Sequence, residues 1–451
     1  MSRIPGWTNV SSLALRFVLF AGVAVCAQLA GRAWAAVIYV RGGATGTKNG
    51  HSWADAYTDL QAGLAAAGSG DEIWIAQGTY KPTSGTLRTV SFVLKEGSGL
   101  YGGFAGVEAE RGQRDWKANA TILGGDIGIA GDAADNTYHV VIGAHLAVLD
   151  GFTITGGNAN GSGSFIQGGG MYNESCSPTV ANCTFSSNTV MGSGLSSLGG
   201  GMYNSSSSPT VTNCTFSGNT AGGGWGSGGG MYNHDSSPTV TNCTFSGNTA
   251  GGGGGMSNYG GSPTVTNCTF IGNTAGGGWG SGGGMYNYDS SLTVTNCTFS
   301  GNTANDSGGG MSNYTGSPTV SNCIFWDNSA PLGAEIYKAS GTPTFSHCDI
   351  RGSGESGDSW NPALGADGGG NIGDGPRFVA PATPAGADGL WRTRDDGLRL
   401  QPDSPCIGAA DPTVAPKTDT LGLRRKTAPD IGAYEFYWTR TRADRAWLLF
   451  K

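Results

Sequence analysis

Charge is what the 451-residue sequence has least of: Asp, Glu, Lys and Arg together make up 13%. From Ala118 to Tyr337 there is no Lys and no Arg. Nucleic-acid binding needs clustered cations against phosphate, and the net charge of −7 points the other way. Hydrophobic residues reach only 38%, which excludes a long membrane-embedded protein. Signatures of chemistry are missing too: there is no G-x-S-x-G, no H-E-x-x-H and no paired C-x-x-C. The 82 Gly lack a G-X-Y period, so collagen is excluded. They also exclude long helices, because Gly costs about 1 kcal/mol per helical position relative to Ala. Low charge and an aromatic share of 10% argue against a disordered acidic chain. What remains is a turn-dense β protein.

The start reads as an address. Arg3 and Arg16 precede an uncharged run from Phe17 to Ala30, and Ala33-Trp34-Ala35 fits an A-x-A cleavage site. A membrane anchor needs about 20 apolar residues, more than this run holds. Val25 before Cys26 is too large for a lipobox. Residues 1–35 are therefore expected to be a signal peptide, and the protein exported. Removing them takes away three Arg and leaves a net charge of −10.

The middle is a repeat array. From Gly168 to Asn328 a unit of the form GGGM(Y/S)N…PTVTNCTFSGNTA recurs six times. Its Met copies are Met171, Met202, Met231, Met256, Met285 and Met311. A degenerate seventh unit, Pro343 to Asp349, keeps Cys348 but loses F-x-x-N. Within Thr210 to Phe216, Val211 to Cys214 is an odd step and Cys214 to Phe216 an even one. A straight strand would put Val211 and Cys214 on opposite faces. A bend at Asn213 returns both to the inside, and Asn is the non-Gly residue that tolerates the left-handed backbone such a bend needs. Each unit therefore has two short strands with an Asn corner, plus a GGGMYN strand behind a Gly turn. Stacked, such units make the coils of a parallel β-helix. They are too short for propeller blades, which take about 40 residues.

Several signals in the array have plain explanations. The N-C-T triplets match glycosylation sequons, but their Asn is the corner residue. The cysteine row favours inward free thiols over disulfides, because side chains on stacked coils run parallel about 4.8 Å apart. Gly224-Trp225-Gly226-Ser227-Gly228-Gly229 matches G-x-G-x-x-G, but no helix follows it.

The GGGM and F-x-x-N pairing resembles the repeats of chlamydial-type polymorphic outer membrane proteins and of bacterial right-handed parallel β-helix surface proteins. The N-terminal part is similar to theirs: Val37 to Val40, Ser52 to Asp55 opening a helix through Ala67, Asp71 to Tyr80, and Tyr101 to Gly106. Ser52 with Asp55 has capping-box spacing. Leu398-Arg399-Leu400-Gln401, Ser404-Pro405 and Asp430 to Glu435 resemble the choice-of-anchor Q module, with Gly408 where that family usually has Asp. The resemblance implies an all-β, right-handed parallel β-helix, a β-solenoid of pectate-lyase-like form. Its expected organisation is an N-terminal cap and first coils over 36–149, the array over 150–350, a C-terminal module over 351–436 and a basic tail over 437–451.

Polysaccharide lyases and hydrolases use this fold. Hydrolysis needs two carboxyls about 5–10 Å apart. Between Gly156 and Ala330 the only acids are Glu174, Asp235, Asp289, Asp306 and Asp327, in different coils. No catalytic residue is assigned on the array, and the competing reading is an enzyme with its site outside it. No cofactor is expected. Asp388-Gly389 with Asp395-Asp396-Gly397 offer the residue types for calcium, but the spacing fits no calcium loop and reads as polar loop. For ligand contact, Trp225 and Trp279 occupy equivalent slots two coils apart, about 10 Å along one side. Tyr172, Tyr203, Tyr232 and Tyr286 stand next to the inward Met and should point outward. These rings either stack on sugar or lie on the Gly loops and shield the coil. The expectation is an exported, non-catalytic surface or secreted scaffold, an adhesin in type, whose partner is a polysaccharide or a host or cell-surface ligand, not nucleic acid.

Overall fold

The computed structural model describes residues 35–192, 197–278 and 280–437. The signal peptide expected over residues 1–35 (apart from Ala35), the expected basic tail beyond Tyr437, and Trp279 lie outside them. Among the described residues, no helix is long and apolar enough to cross a membrane.

The chain winds as a right-handed β-helix whose paired strands are parallel. One coil shows the logic. It runs through Met202–Ser205, Thr210–Thr212, Thr215–Ser217 and Thr220–Ala221 before Met231–His234 begins the next. Successive coils stack in perfect sequence register: Met202 on Met231, Val211 on Val240, Phe216 on Phe245. Among the described residues four sheets result, of 12, 10, nine and six strands. They are named here for their inward residue: the valine, phenylalanine, methionine and alanine sheets. The six-stranded alanine sheet was not foreseen. Its strands, such as Thr220–Ala221, are two residues long, too short to show alternation.

The corner reading holds. Asn182, Asn213, Asn242, Asn267, Asn296 and Asn322 all have positive φ, between 50° and 57°. Val211, Cys214 and Phe216 are all fully buried in the same coil. Phe185, Phe216 and Phe245 stack at 4.8 Å between ring centres. The nine described cysteines are buried and none is in a disulfide. Burial pushes the thiols of Cys214, Cys268, Cys297 and Cys323 well above the ordinary value.

Polar groups inside the coil are satisfied by asparagine ladders. The F-x-x-N asparagines from Asn188 to Asn302 each donate a side-chain N–H to the next Asn Oδ1, ending at Asn328, at 2.8–3.0 Å. The GGGMYN asparagines from Asn173 to Asn287 do the same at 2.8 Å, and the ladder ends at Asn313, whose Nδ2 is buried without a partner. The Gly turn before Met leaves no room for a side chain: a Cβ on Gly230 would come 2.5 Å from the Gly255 carbonyl oxygen.

The N-terminal helix departs from expectation. It spans Leu60–Ala66, with Asp59 as N-cap accepting the Gln61 N–H, and does not open at Ser52. Ser52 and Asp55 do hydrogen-bond, but in a turn where Asp55 also takes the Thr47 N–H and hydroxyl. The reason is tertiary. Tyr57 is drawn into a bridge beside Val37–Val40, exchanging hydrogen bonds with Tyr39 and Arg41, so a helix cannot form before it. Leu60 and Leu64 then join Val40 and Ile73 in the core, closing the end of the valine sheet.

The C-terminal segment returns along the coils. It covers the outer face of the phenylalanine sheet with Phe378, Leu398, Leu400, Ile431 and Tyr434, packed on Ile271 and Ile324. Corner asparagines hold it: Asn296 Nδ2 donates to the Asp430 and Gly432 carbonyls, and Arg425, paired with Glu435 at 3.1 Å, donates to Asn267 Oδ1.

Candidate functional site

On the methionine sheet, the pattern Met-Tyr-Asn-X alternates faces. Met and Asn point in and are fully buried, while Tyr and X point out. Parallel register then stacks like on like. Tyr172, Tyr203 and Tyr232 form one aromatic row of stacked, nearly parallel rings with centres 5.3 and 5.8 Å apart. Ser257 interrupts it, donor and acceptor here being Ser227 and Ser257 hydroxyls at 2.8 Å. A second row, His234, Tyr259, Tyr288 and Tyr314, runs two strand positions later on the same outer face.

The candidates separate on exposure. Tyr203 and Tyr232 leave the strand outward but are only 7% and 6% exposed. The Gly turns pack on their row: a Cβ on Gly228 would come 2.7 Å from Tyr232 Cβ. Those two rings are covered by the Gly turns of their own coils, the arrangement in which a ring shields the coil below it. Tyr172 and Tyr286 are half-buried, and Trp225 is 51% exposed. Trp225 and Tyr286 are brought together. With Ser281 and Tyr314 they line an open pocket of about 250 Å³. The Trp225 loop reaches there by a tight return, since a Cβ on Gly226 would come 2.1 Å from the Ala221 carbonyl oxygen.

The titratable groups of this face are mostly phenols. Burial pushes the phenols of Tyr172, Tyr232 and Tyr286 up, and for Tyr172 a 2.7 Å hydrogen bond donated to Glu174 adds to it. His234 and Asp235 lie 3.7 Å apart, both well exposed, at a left-handed turn residue with φ of 47°. Among the described residues, no group of three or more His, Cys, Asp or Glu gathers to hold a metal. Asp395 takes the Ala387 and Asp388 N–H groups and the Thr393 hydroxyl, which hold its carboxyl down to about 2. Asp396 takes the Tyr434 hydroxyl. These two acids of the calcium candidate thus tie down a loop.

One carboxyl escaped the sequence reading. Glu335 is 5% exposed, and burial pushes it up to about 7. Its Oε2 accepts the Asn328 side-chain N–H at 2.5 Å and so ends the F-x-x-N ladder. It borders a cavity of about 420 Å³ with Arg351 and Asn361. The signal was present: Gly333-Ala334-Glu335-Ile336 replaces Gly-Gly-Gly-Met, and Glu335 takes the slot of Gly310 one coil on.

The family described as right handed beta helix region matches residues 134–270 and 203–363. No curated protein matches the sequence. Among solved structures, the fold is similar to one titled "Crystal structure of pectate lyase Pel9A", at 14% identity and a TM-score of 0.47, over 91% of this chain and 98% of that one. The matched segments span more than half of the sequence, and the chain belongs to the right-handed β-helix family.

Proposed function

We propose that the protein is an exported, non-catalytic β-helix scaffold, secreted or held at the outer cell surface, that contacts glycans as an adhesin does. The observation that carries this reading is the pocket of Trp225, Ser281, Tyr286 and Tyr314. Flat aromatic rings with hydroxyls beside them suit the apolar faces and polar edges of a neutral sugar. The resemblance to polymorphic outer membrane protein repeats and to the choice-of-anchor Q module supports the location, as does the leader. The test is glycan-array and cell-adhesion binding of Trp225→Ala and Tyr286→Ala, with thermal stability measured beside it. Binding lost at unchanged stability supports the reading; binding retained in both variants removes it.

A polysaccharide lyase or hydrolase is the second reading. It draws on Glu335, a carboxyl near 7 beside a cavity with Arg351, which is the range a general acid needs. Turnover on a panel of polysaccharides, abolished by Glu335→Gln, would establish it in place of the scaffold.

A further inference from the structure

The outer face of the phenylalanine sheet carries a threonine on successive rungs: Thr153, Thr184, Thr215, Thr244, Thr269 and Thr298. The returning C-terminal segment covers the later part of this row, and Thr244, Thr269 and Thr298 are buried. It stops short of Thr153, Thr184 and Thr215, which remain partly exposed. These three form the floor of an open cleft of about 400 Å³.

Its walls come from opposite ends of the chain. One is Trp116 and Lys117, from the segment after the N-terminal coils; the other is Trp391 and Arg392, from the C-terminal return. Trp116 is 38% exposed, and the Arg114 guanidinium, itself paired with Asp150 at 2.6 Å, lies 5.3 Å from its ring. Lys117 is exposed and makes no ion pair among the described residues. Arg392 donates one N–H to the Asn242 carbonyl, and its Nε is buried without a hydrogen-bond partner. Its backbone sits at φ of 60°, a left-handed conformation that costs an arginine energy and recurs at binding sites.

The charge balance is the decisive feature. The array from Ala118 to Tyr337 holds no cation, and the chain as a whole is acidic. Yet the two flanking segments set Lys117 and Arg392 on this cleft, and no Asp or Glu lines it. Trp116 and Trp391 bring aromatic surface to its lining, the threonine row hydroxyls, and Lys117 and Arg392 charge.

We propose that this cleft binds an anionic oligosaccharide, with sugar faces against Trp116 and Trp391 and carboxylate or sulfate groups at Lys117 and Arg392. Three rungs span about 10 Å, room for about two sugar units. The site is separate from the Trp225 pocket, which lies on another sheet, and does not depend on it.

The test is calorimetry on the full chain carrying Trp225→Ala, so that failure of the first face is not mistaken for failure of this one. The probes are a carboxylated and a sulfated oligosaccharide, a neutral one of equal length, and an acidic peptide. Binding of either anionic sugar, weakening as salt rises and lowered roughly tenfold or more by Lys117→Gln, is expected. Which of the two binds more tightly identifies the anionic group. Trp116→Ala should lower it as well, with an unchanged melting temperature. Equal affinity for the neutral sugar, equal affinity for the acidic peptide, or no effect of Lys117→Gln would each overturn the proposal.

Discussion

Asn219 donates its side-chain N–H to Asn248 Oδ1 at 3.0 Å, and its own Oδ1 accepts both the backbone and side-chain N–H of Asn188. A further N–H goes to the Phe185 carbonyl at 2.8 Å. One amide therefore satisfies groups on both neighbouring coils. Asn219→Ala should cost about 2–4 kcal/mol, because it leaves several buried polar groups unpaired. Denaturant titration checks this, and a loss below about 1 kcal/mol would show that the ladder relaxes around the gap.

Asn213 has a different task. It turns the corner at φ of 56°. Asn213→Gly should leave stability nearly unchanged, whereas Asn213→Val should lower it by about 1–2 kcal/mol through left-handed strain alone. The comparison is made by thermal melts of the two variants. Equal loss in both would assign the cost to the lost side-chain hydrogen bonds instead.

Phe216 lies between Phe185 and Phe245, at 4.8 Å from each, with no exposure. Phe216→Ala should cost about 3–5 kcal/mol, since the stacked rows cannot collapse into the space. Hydrogen exchange should show the lost protection centred on its own and the adjacent coils, because each coil contacts only its neighbours.

The thiol row should be chemically silent. All nine described cysteines are buried. Native protein should not react with Ellman's reagent, while guanidinium-unfolded protein should react fully. Rapid labelling of Cys214 in the native state would contradict its inward placement.

Glu335 predicts a pH dependence. Its folded carboxyl is raised from 4.5 to about 7, so the folded state keeps a proton that the unfolded chain has released. Its stabilising contribution is complete below about pH 4.5 and is lost as pH rises through 7. Glu335→Gln should keep the hydrogen bond from Asn328 and flatten that slope. At pH 8 it should raise stability by on the order of 1–3 kcal/mol. Melts of both proteins from pH 4 to 8 decide it.

Much of the coil was legible because its causes are short-range. The odd step from Val211 to Cys214 required a bend, and only a residue tolerant of positive φ, here Asn213, could make it. Parallel stacking of identical units then placed Met on Met and Phe on Phe without further information. The same stacking set the tyrosine rows, whose cover depends on the Gly turns above them.

What the sequence by itself determined is therefore the repeating cross-section: which residues face in, where the corners fall, and that the coils stack. What only the tertiary structure decided are the places where distant segments meet the coils. Tyr57 delays the helix to Leu60 by pairing beside Tyr39. The Trp225 loop meets Tyr286 across coils. Trp116 and Trp391, far apart in sequence, line one cleft over the threonine row. Periodicity reports the environment of a residue within its own strand, and backbone tolerance reports a single bond rotation. Neither carries the distance between two segments that approach only after the solenoid has formed.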